Sequence, residues 1–280
     1  MAIIMEGKSV SNNIKAEIAQ EIQNLKAEVT LAVILIGDDP ASQVYVRNKE
    51  KACEKVGIKS ETIRLSADIT QVGAEKIVKD LANDNKINGI LVQLPLPKHL
   101  NKEALLKLIP ENKDVDGLTY ANAANLYTNN FGIVPCTPQG VVDLLKAYNI
   151  ELAGKKVAII GRSMLVGKPL SLLMLNENAT VTVCHSKTKN IAEITKNSDI
   201  IVCALGKPKF LTTDMVSDNC IIVDVGINRL ETGLCGDADY ESILPKAYAI
   251  TPVPGSCGPM TIAELLKNTL KCYKLQHDLC

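Results

Sequence analysis

Tyr45 and Lys49 stand four residues apart in SQVYVRNKEKACEKVG, a stretch that reads as a helix, so the phenol and the amine share a face. A lysine that moves protons near neutral pH needs burial or neighbours to lower its pKa, and a half-buried lysine beside a phenol is a candidate. The same stretch, with Lys51 and Lys55, also reads as an ordinary solvated face. Gln93 interrupts the apolar run LVQLPLP just before a proline break. A buried amide must find hydrogen-bond partners, and the C-terminal ends of strands are where open α/β sheets place ligands. The alternative is an amide satisfied by neighbouring backbone. Asp114 and Asp116 lie in KDVDG, where a carboxylate can accept from the N–H groups of a ring; a plain Asp-Gly turn reads the same. A divalent ion would need further oxygen ligands, and none follow at suitable spacing.

A second constellation is built from glycine. GRSMLVG, Gly161 to Gly167, lies between an apolar strand and a helix. Glycines there let backbone approach a phosphate, and helix amides face the anion. Ser163 stands where the second glycine of GxGxxG would be, so an ordinary strand-to-helix turn is the competing reading. An NAD site places an acid about 20 residues further on, at the ribose 2′-hydroxyl. Here the next strand ends in Cys184-His185-Ser186-Lys187, with no acid. Hydroxyl and basic groups, with Arg162 in the turn, suit a 2′-phosphate, which favours NADP over NAD. A solvated strand end is the bland alternative for His185 and Lys187. TPVPGSCGPMT, from Thr251 to Thr261, is a rigid loop that either walls a ligand cleft or links domains.

These groups need a scaffold, and the sequence alternates strand-like and helix-like runs. Ser11 is a candidate cap for a first helix bearing Ile14, Ile18, Ile22 and Leu25. LAVILI (31–36) is a buried strand, followed by the turn Gly37-Asp38-Asp39-Pro40 and a helix through Val56, closed by Gly57. A strand over 58–65, a helix over 70–82 and a strand over 89–94 follow. Residues 110–137 read as a long irregular connection, and such loops are often functional. Thr137-Pro138 reads as the start of a helix with Val141, Leu144, Leu145 and Tyr148 on its apolar face. Strands at 157–161, 179–184, 199–205 and 220–226 form a second set, with a helix starting at Pro169. Thr261 and Glu264 make a capping box for a last helix striped by Ile262, Leu265, Leu266, Thr269, Leu270 and Tyr273. The expected fold is α/β in two domains: 1–138 with 260–280, and a Rossmann-like domain at 139–259, the last helix packing back on the first domain.

Composition narrows the functional classes. Lys and Arg number 31 against 31 Asp and Glu, so no basic excess points to nucleic acid or an anionic membrane. Aromatics are 3% with no Trp, which disfavours base-stacking platforms. No apolar run approaches a membrane span, and MAIIMEGKSV lacks the basic start of a signal peptide. Nine cysteines without a CxxC pair fit neither a disulfide framework nor a zinc site, and read as small thiols of a reducing cytoplasm.

Together these stretches resemble the bifunctional methylenetetrahydrofolate dehydrogenase/methenyltetrahydrofolate cyclohydrolase family. The resemblance runs over nearly the whole chain: Gly37-Asp38-Asp39-Pro40-Ala41-Ser42 with Tyr45, Val46 and Lys49; Val92-Gln93-Leu94-Pro95-Leu96-Pro97; Lys113-Asp114-Val115-Asp116-Gly117; and Pro135-Cys136-Thr137-Pro138. It continues through Gly161-Arg162-Ser163, Val166-Gly167-Lys168-Pro169, Cys184-His185-Ser186, Gly206-Lys207-Pro208, Asp224-Val225-Gly226-Ile227-Asn228 and Pro252-Val253-Pro254-Gly255.

The resemblance implies that Lys49 is the central catalytic group, that Tyr45 stacks on or positions the folate, and that Gln93 contacts Lys49 and tunes its protonation. It implies that Asp116 holds the pterin ring, with Val92, Leu94, Pro254 and Gly255 also at the substrate. Gly161, Arg162, Ser163, Val166, Gly167, His185, Ser186 and Ile227 would hold NADP. The implied reaction oxidises 5,10-methylenetetrahydrofolate across an interdomain cleft, then hydrolyses the methenyl cation to 10-formyltetrahydrofolate. The implied assembly is a cytoplasmic homodimer.

Two departures stand out. Ser256 and Cys257 replace the family's Gly-Val, which costs something if that position needs positive φ. Asn122-Ala123-Ala124-Asn125 lacks the glycine of an Asn-x-Gly pair. The competing expectations are a dehydrogenase with weak or lost cyclohydrolase, a non-catalytic dinucleotide- or folate-binding module, and some other two-domain NADP dehydrogenase.

Overall fold

The structure is a computed structural model that describes residues 2–130, 132–231 and 233–279. In chain order the elements begin β1 (Ile3–Ile4), α1 (Gly7–Leu25), β2 (Thr30–Ile36), α2 (Pro40–Val56), β3 (Lys59–Leu65), α3 (Gln71–Asn83) and β4 (Gly89–Val92). They continue α4 (Lys102–Leu106), α5 (Tyr120–Tyr127), α6 (Cys136–Ala147), β5 (Lys156–Ile160), α7 (Gly167–Asn176), β6 (Thr180–Cys184), α8 (Ile191–Lys196) and β7 (Ile200–Cys203). The last are β8 (Cys220–Asp224), β9 (Asn228–Leu230), β10 (Gly233–Cys235), α9 (Tyr240–Ile243), β11 (Ala247–Ile250) and α10 (Cys257–Gln276). They form two compact units, Asn13–Cys136 with Ile262–Cys280, and Met1–Asn12 with Thr137–Thr261. Among the described residues no helix is long and apolar enough to cross a membrane.

The first of these units is built on a three-stranded parallel sheet, ordered β3-β2-β4. Beyond Thr30, β2 is apolar because both its faces are covered. Leu31, Val33 and Leu35 point into one core with Ile18, Ile22, Val46, Cys53, Leu265, Leu266 and Leu270. Ala32, Ile34 and Ile36, one residue out of step, point into the other with Ala74, Val78, Ile90 and Leu105. Each Val, Leu or Ile among them contributes about 1.5–3 kcal/mol through burial. α2 begins where Asp39 accepts from the Ser42 backbone N–H and hydroxyl, both at 2.7 Å, and stops at Gly57, whose φ is 82°. Thr70 caps α3 by accepting from Gly73 N at 3.1 Å. The end of α10 packs back on this unit: Asn268 Nδ2 donates to Val115 O and Val134 O, and Gln276 Nε2 donates to Asn88 O and Asn112 O.

The other unit holds a six-stranded parallel sheet, ordered β1-β11-β8-β7-β5-β6. The chain runs from β5 outward to β6, then returns to β7 on the other side of β5. That reversal is the switch point where such sheets bind ligands. Thr180 and Thr182 are exposed on the edge strand β6, whereas β5, β7 and β8 are buried almost throughout.

Several boundaries differ from the sequence reading. Residues 1–12 group with the six-stranded unit, because β1 pairs in parallel with β11. Ser11 and Thr261 are not N-caps. α1 starts at Gly7 and α10 at Cys257, and both hydroxyls donate backwards, Ser11 to Lys8 O and Thr261 to Cys257 O, each at 2.9 Å. β4 ends at Val92, so Gln93 and Leu94 lie past the strand. Residues 110–137 contain the helix α5, capped by Thr119. α6 begins at Cys136, which makes Pro138 its third residue.

Candidate functional site

In the three-stranded unit, α2 buries Val46 and Cys53 against the sheet. Lys49 lies on the flank of that stripe, half-buried, and Tyr45, one turn earlier, is 42% exposed. Gln93 N donates to Ile34 O at 2.9 Å, extending the β4 ladder by one bond. Its side chain is buried, and Nε2 donates to Leu94 O at 2.7 Å. That fixes the amide's orientation, because the remaining atom, Oε1, must face whatever lies beyond. Lys49 Nζ donates to it at 3.0 Å. Backbone thus satisfies the amide nitrogen, and the oxygen holds Lys49.

KDVDG divides its work residue by residue. Lys113 Nζ donates to Ala82 O and Asp84 O. Asp114 is buried and accepts from Thr119 N at 2.8 Å and Asn122 Nδ2 at 3.0 Å. Val115 is fully buried in the core. Gly117 turns with φ 65°, and a Cβ there would lie 2.8 Å from Pro135 N. Asp116 alone keeps its carboxyl for other use. Burial pushes that carboxyl up, and the positive charge of Lys49 pulls it down. Cys136 Sγ contacts Asp116 Oδ1 at 3.7 Å and donates to Val115 O at 3.3 Å. Burial holds the Cys136 thiol well above the ordinary range, so it remains an S–H donor.

Sequence reasoning missed Asn268 and left Cys136 without a role. The available signal for Asn268 was a lone amide within the apolar stripe of the last helix. Val92 is buried among Ile34, Ile36 and Ile90, so its side chain belongs to the core, and Leu94 is half-buried beyond the strand.

In the six-stranded unit the turn after β5 is shaped by two glycines. Gly161 has φ 132°, and a Cβ there would overlap Ala204 O; a Cβ at Gly167 would overlap Gly161 O. Ser163 accepts from Val166 N at 3.1 Å through Oγ and from Lys168 N at 3.0 Å through its carbonyl, which turns the chain into α7. Arg162 and Ser163 are exposed, and Val166 precedes the first residue of α7. His185 N donates to Thr188 Oγ1 at 2.9 Å, and His185 Nδ1 accepts from Lys187 N at 3.1 Å, so Nε2 carries the ring proton. Ser186 is exposed, and Ile227 is 46% exposed just after β8. Because β5, β6 and β8 are parallel, these residues all lie at one end of the sheet. No carboxylate occurs between 184 and 188. A glycine turn leading into a helix, with cations and hydroxyls where an acid would select NAD, fits a phosphorylated dinucleotide.

The loop after β11 carries a cis Val253–Pro254 bond and Gly255 at φ 122°. Ser256 is not in the left-handed region. Its side chain is buried and donates to Met5 O at 2.8 Å, so the serine is accommodated without strain and faces inward. Among the described residues no group of three His, Cys, Asp or Glu converges as a metal site, and the eight described cysteines are free thiols. Cys280 lies outside the described residues.

Residues 5–116 match the family described as tetrahydrofolate dehydrogenase/cyclohydrolase, catalytic domain, and residues 135–277 match its NAD(P)-binding domain. The chain is 53% identical to Bifunctional protein FolD of Campylobacter concisus, over 95% of this chain and 96% of that one. Among solved structures it is similar to the bifunctional FolD methylenetetrahydrofolate dehydrogenase/cyclohydrolase of Campylobacter jejuni. That match has a TM-score of 0.96 and 48% identity, covering 98% of this chain and 99% of the other. It is also similar to the Trypanosoma brucei methylenetetrahydrofolate dehydrogenase-cyclohydrolase complexed with NADP and inhibitor. There the TM-score is 0.94 and the identity 36%, covering 98% of each chain.

Proposed function

The chain belongs to the tetrahydrofolate dehydrogenase/cyclohydrolase family, and we propose that it works as a bifunctional one-carbon enzyme. It oxidises 5,10-methylenetetrahydrofolate to the 5,10-methenyl form with NADP, then hydrolyses that product to 10-formyltetrahydrofolate. The observation that carries this reading is the Lys49–Gln93 hydrogen bond at 3.0 Å, with Asp116 near enough to feel the lysine's charge. A binding module has no use for a lysine aimed by a buried amide beside a partly buried carboxyl.

NADP, when bound, accepts the hydride that leaves the methylene carbon. The turn from Gly161 to Gly167 and the start of α7 would receive the phosphates. Arg162, Ser186 and Lys187 would face the 2′-phosphate, with Ile227 against the nicotinamide end. Tyr45 offers an exposed ring on the Lys49 face of α2 for the folate to stack on. Asp116 accepts from the N–H groups of the pterin, and Leu94, Pro254 and Gly255 supply apolar and backbone contacts.

In the second step water oxygen adds to the methenyl carbon, and Lys49 Nζ, held by Gln93, is placed to relay the departing proton. The carbon–N5 bond then breaks. The carbinol proton passes through Lys49 to N5, leaving the formyl group on N10. Gln93 Oε1 accepts from the amine throughout and keeps it aimed. The protein would act in the cytoplasm as a homodimer, and sedimentation should give twice the 30.2 kDa chain.

One progress curve tests the function. With 5,10-methylenetetrahydrofolate and NADP, reduced cofactor should rise while methenyl stays below an enzyme-free control. Methenyl accumulating alongside reduced cofactor would mean a dehydrogenase without the second activity. No reduction with either NADP or NAD would overturn the reading.

A further inference from the structure

We propose that Asp237 is a positioning residue for the dinucleotide: its buried carboxyl fixes the loop after β7 that backs the glycine turn. This rests on the reading of the six-stranded unit as the nucleotide-binding one. Asp237 is fully buried, yet it lies in the return from the β9–β10 hairpin, remote in sequence from the turn. Its Oδ2 accepts from Leu205 N at 2.6 Å and Gly206 N at 2.9 Å. Its Oδ1 accepts from Lys207 N and Asn228 Nδ2, both at 2.8 Å. One carboxyl thus gathers three successive amides of the loop after β7 and a side chain of the segment after β8.

Both segments lie at the ligand end of the sheet. Ala204 O lies so close to Gly161 that a Cβ would overlap it, so the loop that Asp237 holds is the floor on which the Gly161 turn rests. Asn228 follows Ile227 directly. Asp237 is itself anchored. Asp224, at the end of β8, accepts from Gly226 N at 2.9 Å, Asp237 N at 3.0 Å and Ala238 N at 2.7 Å. Thr251 Oγ1 accepts from Asp224 N at 2.7 Å. A Cβ at Gly226 would overlap the Asp237 carboxyl, and one at Gly236 would overlap that of Asp224, so the two groups are packed as well as bonded. The position of the phosphate turn is therefore relayed from β8 through two acids to β7 and β5.

The test is Asp237→Asn in the full chain. An amide sets an NH2 group against N–H donors and releases part of the loop. The NADP KM should rise at least tenfold while kcat changes less than threefold and the folate KM is unchanged. Hydrolysis of supplied 5,10-methenyltetrahydrofolate, which needs no dinucleotide, should remain within twofold of wild type. An NADP KM within twofold of wild type in a folded variant would overturn the proposal. So would loss of both activities in parallel with a lowered unfolding midpoint, which is what a merely structural acid gives. Should Asp237→Asn fail to fold, Asn228→Ala removes one donor of the four and should raise the NADP KM about threefold; no change would overturn the proposal. A wild-type chain that reduces neither NADP nor NAD would instead sink the underlying functional reading.

Discussion

The two units hold their chemistry in different parts of the polypeptide. In the three-stranded unit the proposed working groups are side chains: the titratable Lys49 and Asp116 at the edge of a core, with the neutral Gln93 amide accepting from the lysine. In the six-stranded unit the proposed binding surface is mostly backbone, a glycine turn and a helix start, and two buried acids lie behind it, bonded to amides. The difference follows from the task. A step that moves protons needs titratable atoms at the reacting centre. Holding phosphates needs amides and close approach, which glycine provides and side chains obstruct. Substitutions should therefore act through charge in one unit and through shape in the other.

The largest expected effect is Lys49→Met, which should lower hydrolysis by about 10²–10⁴-fold with folding intact, since Lys49 is only half-buried. Next is Gly161→Ala. A residue forced to φ 132° against Ala204 O should cost about 3 kcal/mol or more. It should show as loss of NADP binding by fluorescence titration, with hydrolysis of supplied methenyl substrate still measurable. Asp116→Asn puts an NH2 donor in place of an acceptor oxygen and leaves a pterin N–H unpaired, at about 1–3 kcal/mol, so the folate KM should rise about tenfold or more with the NADP KM unmoved. An unchanged folate KM would remove Asp116 from the site.

The last effect is on stability rather than on activity. Burial outweighs the N–H donors around Asp224 and lifts its carboxyl to about 6, whereas an unfolded aspartate titrates near about 3.9. The folded state thus binds the proton more tightly. This group's contribution falls as pH rises from about 4 to about 6 and is flat above, a span of about 2–3 kcal/mol. Denaturation at stepped pH should show that slope in wild type and its absence in Asp224→Asn.

Much of the scaffold was legible because local and global signals agreed. Beyond Thr30, β2 is apolar on both faces, α2 has Asp39 and Gly57 at its ends, and Thr70 caps α3. Ser11 and Thr261 misled because a hydroxyl can cap forwards or bond backwards to the preceding turn, and only the flanking chain decides. α5 was hidden because only Asn122 and Leu126 are buried along it, too few to show a helical period. β1 has two residues and gains its strand character only from β11.

The Tyr45–Lys49 spacing marked a shared face, and the family resemblance supplied the substrate. What the sequence left dark are residues whose partners are backbone groups far along the chain. Asn268 reaches Val115 O and Val134 O, and Asp237 reaches the amides of 205–207. No side chain there announces that an amide or carbonyl is waiting.

The most direct test of the division between the units supplies 5,10-methenyltetrahydrofolate without NADP to wild type and Lys49→Met side by side. Unfolding midpoint and NADP affinity are measured on the same preparations. The account predicts hydrolysis lowered by about 10²–10⁴-fold in the variant, with midpoint and NADP affinity unchanged. Hydrolysis within threefold of wild type would contradict it.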